Sequence, residues 1–188
     1  MNYNESARLG LERYQKDRDA LLLAIESSCD ETAASVLRGA REAGHDAEKI
    51  SLRDCRIGYC TGCGVCYDTR TCPQRDDAAQ IVGKMIAADV IVLATPVYFY
   101  TMSAQMKTLI DRCCARYTEM TGKEFYFIVA AADSKAAMER TIDGFRGFLD
   151  CLDDSRECGT IYGVGAWKIG EIEGSPAMKQ AYDAGLNC

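Results

Sequence analysis

The sequence predicts an α/β fold: a doubly wound sheet of five parallel strands with helices on both faces. Three observations carry this expectation. Strand-like and helix-like segments alternate from residue 20 to the end of the chain. The strand-like segments are almost continuously apolar, which marks strands covered on both faces. Glycine, proline and polar clusters fall between them, where turns are needed. Parallel strands joined through helices take right-handed crossovers, and winding in both directions covers both faces.

The elements follow in order. Residues 5–19 read as a weakly amphipathic helical extension ahead of the sheet. ALLLAIE, residues 20–26, is the first buried strand. Residues 30–43 then read as a helix stopped at Gly44, a residue that can take the left-handed cap. DAEKISL, residues 46–52, is the second strand, and a cysteine-rich loop occupies residues 54–75. Residues 76–88 are helical, with the acidic pair Asp76 and Asp77 at the start. DVIVLAT, residues 89–95, is the third strand, ended by Pro96. Residues 103–116 carry Met106, Leu109, Ile110 and Cys113 at helical spacing behind Ser103, an N-cap candidate. EFYFIVAAA (124–132), a helix (134–152), GTIYGVG (159–165) and a last helix (176–185) complete the pattern. No repeat or linker divides the chain, so residues 1–188 are expected to form one domain with a full core.

Composition narrows the setting. An apolar share of 48% beside a charged share of 27% is that of a globular protein. A formal net charge of −6 argues against nucleic acid, whose phosphates demand a basic face. No apolar run approaches transmembrane length, so no membrane partner is expected. Of the 11 cysteines, Cys29, Cys55, Cys113, Cys114, Cys151, Cys158 and Cys188 are scattered. Disulfide scaffolds are short secreted chains, whereas this N-terminal stretch is charged and unlike a leader. The expected location is a reducing cytoplasm.

The remaining four, Cys60, Cys63, Cys66 and Cys72, lie in CTGCGVCYDTRTC. Thiolates clustered on one short loop can wrap a cubane, whereas structural zinc usually takes two pairs set further apart. Gly62 and Gly64 let the backbone fold tightly around the sulfurs, and Arg56, Arg70 and Arg75 could offset their charge. The alternatives are a [4Fe–4S] cluster, zinc, and unligated thiols or an oxidative disulfide. Cys55, five residues ahead of the run, is the expected spare.

At the strand ends the chain begins to resemble a known family. TPVYFYTMSAQMKTLIDR, residues 95–112, is similar to the flavin-ring loop and following helix of flavodoxin-like NAD(P)H-dependent FMN reductases. With the cysteine run, it looks like their iron–sulfur flavoprotein branch. The resemblance extends from about residue 20 to residue 185, including GVGAWKIGEIEGSPAMKQAY. It implies strand order 2-1-3-4-5 and a site beyond the carboxyl ends of the strands, where strand order reverses. It also implies FMN as cofactor, with Ser27, Ser28, Thr32, Thr95, Pro96, Val97, Tyr98, Phe99, Ala132 and Asp133 around it. The cluster, on Cys60, Cys63, Cys66 and Cys72, would pass electrons to and from the flavin. No side chain is required as a catalytic acid, because the cofactors carry the chemistry. Ferredoxin or NAD(P)H is the implied donor, with a small molecule or a protein as acceptor, in a homodimer or homotetramer.

The first loop departs from that family. In place of a turn rich in glycine, serine and arginine stands ESSCDET, residues 26–32, in which Asp30 and Glu31 repel a phosphate dianion. Weak FMN retention is the expectation. The same stretch, in LLLAIESSCDETAASVL, resembles the opening of the tRNA threonylcarbamoyl transferases. Those enzymes bind metal through a His-rich helix, and this chain has one histidine, His45, in a polar turn. Two further readings stay open: an NAD(P)H-dependent FMN or quinone reductase without a cluster, and a non-enzymatic redox or metal-responsive binding module. Trp167, after the fifth strand, either anchors its loop or closes over a neighbouring subunit.

Overall fold

The computed structural model describes residues 20–27, 30–168 and 170–188. The helical extension expected at 5–19 lies outside the described residues. Six strands and six α-helices follow: β1 (Leu21–Glu26), α1 (Asp30–Ala43), β2 (Asp46–Ser51), α2 (Val65–Thr69), α3 (Ala78–Ala87), β3 (Val90–Tyr98), β4 (Thr101–Met102), α4 (Ala104–Arg112), β5 (Glu124–Ala131), α5 (Lys135–Leu149), β6 (Arg156–Val164) and α6 (Pro176–Leu186). The order β2-β1-β3-β5-β6 is parallel throughout, and β4 pairs antiparallel with β3 alone. With β4 set aside, this is the expected order 2-1-3-4-5.

Register explains the two cores. Ile50, Ile25, Leu93 and Phe127 stand side by side across four strands. They belong to one core with Leu23, Ile91 and Phe125, covered by α3, α4 and α5 through residues such as Met85, Met106 and Phe145. The alternate residues Leu22, Ala24, Val92 and Ala94 point to the other face and pack against α1 and α6. Successive strand residues thus feed opposite cores, as a doubly covered sheet requires.

The α1–α6 contact is very close. A Cβ on Gly39 would lie 2.2 Å from the Tyr182 carbonyl oxygen, and one on Gly185 would lie 2.0 Å from that of Val36. The stop at Gly44 is as expected, with φ at +97°. Ser103 caps α4: its hydroxyl accepts the Met106 N–H at 3.2 Å.

Three details differ from expectation. The described residues hold six strands because β3 does not stop at Pro96. It runs on to Tyr98 and folds back as β4, with Val97 opposite Met102 and Tyr98 opposite Thr101. Pro96 is tolerated because β1 ends at Glu26, opposite Ala94. The Ala94 carbonyl faces β1, accepting the Ser27 N–H, so the N–H that Pro96 lacks would point the same way, past the end of β1. The helix expected at 103–116 closes at Arg112 and continues as 3₁₀ turns at Cys113–Ala115 and Tyr117–Glu119. The cysteine loop is not wholly irregular, since α2 lies inside it. Among the described residues, no helix is long and apolar enough to cross a membrane.

Candidate functional site

A cavity of about 480 Å³ opens at the carboxyl ends of β1, β3 and β5, within the size range of small-molecule sites. Glu31 and Thr32 enter it from the first turn of α1, and Pro96, Val97 and Tyr98 from the end of β3. Ala130, Ala131 and Ala132 form the end of β5, and Ala166, Trp167, Lys168, Gly170 and Ile172 follow β6. The alanines keep the floor low where larger side chains would fill it. The wall beyond β6 is fastened at two points. The Ala166 N–H donates to the Ala131 carbonyl at 3.0 Å. The Trp167 and Lys168 N–H groups both donate to Glu171 Oε2 at 2.8 Å. Those backbone donors hold the Glu171 carboxyl below the usual carboxylate range. Trp167 itself stays exposed at the rim.

The expected residues divide into three sets. Thr32, Pro96, Val97, Tyr98 and Ala132 line the cavity. Ser27 and Thr95 are completely buried and face one another. Ser103 donates to the Ser27 hydroxyl at 2.7 Å, Ser27 donates to Thr95 Oγ1 at 3.3 Å, and Thr95 donates to the Pro96 carbonyl at 3.0 Å. The Ser103 N–H also reaches Thr95 Oγ1 at 3.0 Å. These hydroxyls join β1 to β3 and α4 instead of standing free. Phe99 is fully exposed at the hairpin tip, and Asp133 is exposed with its carboxylate accepting the Ser134 N–H. Ser28 lies outside the described residues.

Sequence reasoning left Trp167 undecided and missed Lys168 and Ile172. They sit more than thirty residues past β5, and nothing local marks them as sharing a cavity with the end of β3. The hairpin tip is also unusual. Phe99 and Tyr100 have φ of +50° and +65°, and a two-residue hairpin with both central residues at positive φ is the type I′ arrangement. Glycine or asparagine is the usual signal for that turn, and neither is present. Arg140 lies 5.4 Å from the Tyr100 ring centre.

The cysteine run forms a second region, on the loop leaving β2 at the same end of the sheet. Its stem is clasped by Arg112, whose side chain is 1% exposed beside Asp76 at 9%. Arg112 donates to Asp76 through Nη1 at 2.6 Å and Nη2 at 3.0 Å, and Nη1 also reaches the Gly58 carbonyl at 2.6 Å. Asp76 Oδ2 accepts the Gly58 N–H at 2.9 Å, and its Oδ1 accepts the Ala78 N–H at 3.1 Å at the head of α3. Asp77 closes the adjoining rung, accepting the Arg56 N–H at 2.6 Å. The acidic pair read as a simple helix start thus ties both ends of the loop together. Burial alone would raise Asp76, but Arg112 and the two backbone donors hold its carboxyl below the usual range.

Within the loop, Gly62 and Gly64 take φ of +66° and +74°. Cys60 and Cys63 are exposed, while Cys66 and Cys72 are half-buried. Burial and the neighbouring Cys114 thiol push the Cys66 thiol up. Among the described residues, no three Cys, His, Asp or Glu side chains converge on a metal position. The donor chemistry suits an iron–sulfur cluster, but the sulfurs as folded are not gathered to hold one. Cys55 donates to the Ser51 carbonyl at 3.3 Å; the thiol beside the run is Cys114. Complete burial pushes Cys113 up to about 12, as for an inert core thiol.

Known proteins share the sequence in part and the fold at large. Residues 23–152 match the family model described as NADPH-dependent FMN reductase. An iron-sulfur flavoprotein of Archaeoglobus fulgidus is 40% identical over 78 residues, 42% of this chain and 36% of that protein. The chain thus aligns with little over a third of that relative's length. An FMN-dependent NADH:quinone oxidoreductase of Azospirillum brasilense is 28% identical over 201 residues, covering 88% of this chain and 94% of that one. The solved NAD(P)H:quinone oxidoreductase from Methanothermobacter marburgensis shares the fold at a TM-score of 0.68 and 15% identity, over 90% of this chain and 96% of that one.

Proposed function

The chain belongs to the NADPH-dependent FMN reductase family, and on that premise we propose that it is an FMN-dependent oxidoreductase drawing electrons from a nicotinamide donor for a quinone-type acceptor. The observation that carries the reading is the strand-end cavity, whose low alanine floor and aromatic rim suit a flat, largely apolar ring. When bound, FMN would accept a hydride and release electrons singly or in pairs. Pro96, Val97 and residues 130–132 flank the ring's space, while Tyr98 and Trp167 limit water access. Lys168 supplies the cation of the rim, and Thr32 a hydroxyl at the head of α1. Ser27 and Thr95 support the floor from behind through their buried bonds.

The phosphate end is the weak one. Glu31 lines the cavity and the Ser27 hydroxyl is engaged internally. FMN therefore binds reversibly and leaves during gel filtration. A titration following the quenching of flavin fluorescence tests this, together with NAD(P)H oxidation in the presence of a quinone. Saturable binding and flavin-dependent turnover are expected. No quenching in excess FMN would sink the proposal and favour a non-enzymatic module.

A second reading adds a [4Fe–4S] cluster on Cys60, Cys63, Cys66 and Cys72, with ferredoxin as electron donor. Its support is the ligand spacing and the likeness to an iron-sulfur flavoprotein, and it requires the exposed part of the loop to close around the sulfurs. Iron and sulfide are measured after anaerobic reconstitution: about four of each per chain are expected, and iron-free protein refutes the cluster.

A further inference from the structure

We infer that the cavity beneath the cysteine loop is a binding site for a small tetrahedral oxyanion, held by Arg70, Arg112 and Arg116. This cavity, about 210 Å³, lies between Arg70, Thr71 and Cys72 of the loop, the first turns of α3, and the chain around the end of α4. None of its lining residues lines the strand-end cavity, so the inference stands or falls independently of flavin binding.

Two observations point to a ligand. The first is charge. Three guanidinium groups meet here, against two carboxylates: Asp76 on Arg112, and Glu119, which takes two bonds from Arg116 at 2.7 and 2.9 Å. One positive charge remains in excess. Arg70 reaches the Thr118 hydroxyl at 3.0 Å, which places it at the rim.

The second observation is a buried donor. Arg112 is 3% exposed, and its Nε–H has no acceptor. A cationic donor without an acceptor inside a protein is costly, and native structures rarely leave one. Of the other nitrogens of the same group, Nη1 is engaged by Asp76, Gly58 and Gln74 and Nη2 by Asp76, with the Cys72 side chain close by. An oxyanion would supply the acceptor and the balancing charge together, and guanidinium forks match tetrahedral oxyanions geometrically. The volume admits an inorganic ion or the phosphoryl end of a larger molecule, but not a nucleotide.

The test is a calorimetric titration of inorganic phosphate into the purified full chain, at ionic strength held constant with potassium chloride. Arg112 also clasps the loop, so the variants are Arg70→Ala and Arg116→Ala, each checked for an unchanged unfolding midpoint. One site per chain is expected, with each substitution weakening it at least about tenfold. Phenyl phosphate is titrated in parallel. Binding of both ligands marks a phosphoryl group carried on a larger molecule, and binding of phosphate alone marks the free ion. No saturable binding by about 20 mM phosphate, or less than a tenfold loss in either variant, overturns the inference.

Discussion

The hydroxyls of Ser27, Thr95 and Ser103 show how a single side chain can hold a site without lining it. Each is buried and each donates to the next in turn, from Ser103 through Ser27 to Thr95 and the Pro96 carbonyl. Ser27→Ala removes the middle member and strands its neighbours. The expected loss is about 1–3 kcal/mol in urea unfolding, because an unsatisfied buried polar group keeps its desolvation penalty. Ser27→Ala and Ser103→Ala should then combine less than additively, as members of one network do. Phe99 and Tyr100 give the opposite effect. Both occupy left-handed backbone, which costs about 1–2 kcal/mol for each L-residue. The double variant Phe99→Asn, Tyr100→Gly should therefore be more stable by about 1–3 kcal/mol in urea unfolding. The Ser103 cap was legible in sequence because the N–H that its hydroxyl accepts lies three residues away. The Ser27–Thr95 bond spans 68 residues, and no local signal announces it.

Between elements, contacts are decided by how closely two backbones approach. α1 and α6 meet through Gly39 and Gly185, where any Cβ strikes a carbonyl oxygen at 2.0–2.2 Å. Gly185→Ala must push the helices apart, with an expected loss of about 1–3 kcal/mol and a lower melting midpoint. The Asp76–Arg112 clasp behaves as a buried ion pair. Asp76→Asn leaves the guanidinium without its counter-charge, at a cost of about 3–5 kcal/mol. The same pair sets a pH dependence. The folded-state pKa of Asp76 lies below the unfolded value, so between the two the unfolded chain binds more protons and stability rises with pH. The clasp's contribution is complete above the ordinary carboxylate pKa of about 4. It is lost as pH falls through the lower folded value. Limited proteolysis of the loop as pH falls below about 4 should show the stem opening, and Asp76→Asn should be cleaved readily at neutral pH as well. Helix and strand positions were largely legible from periodicity. The two-residue β4 was not, because so short a strand has no period to read and its turn lacks glycine.

For the molecule as a whole, the parallel order β2-β1-β3-β5-β6 brings distant loops to one edge. The candidate site exists only there. Ala132→Phe tests that placement: the residue is exposed and lines the cavity, so stability should hold within about 0.5 kcal/mol. FMN affinity should fall at least about tenfold because the ring's space is filled. Unaltered flavin affinity would place the ring elsewhere. What the sequence determined by itself was local: buried strands from unbroken apolar runs, helix ends from caps, and a thiol-rich loop from cysteine spacing. Each of those signals is carried by residues within a few positions of one another, and each survives without a partner. Tertiary structure alone decided which groups meet. It brought Trp167 and Lys168 to the same cavity as the end of β3 and engaged the Ser27 hydroxyl inside the molecule. It also brought Arg112 across 36 residues to Asp76 and left Cys66 beside Cys114. These encounters depend on crossover geometry and burial, which no short window of sequence contains.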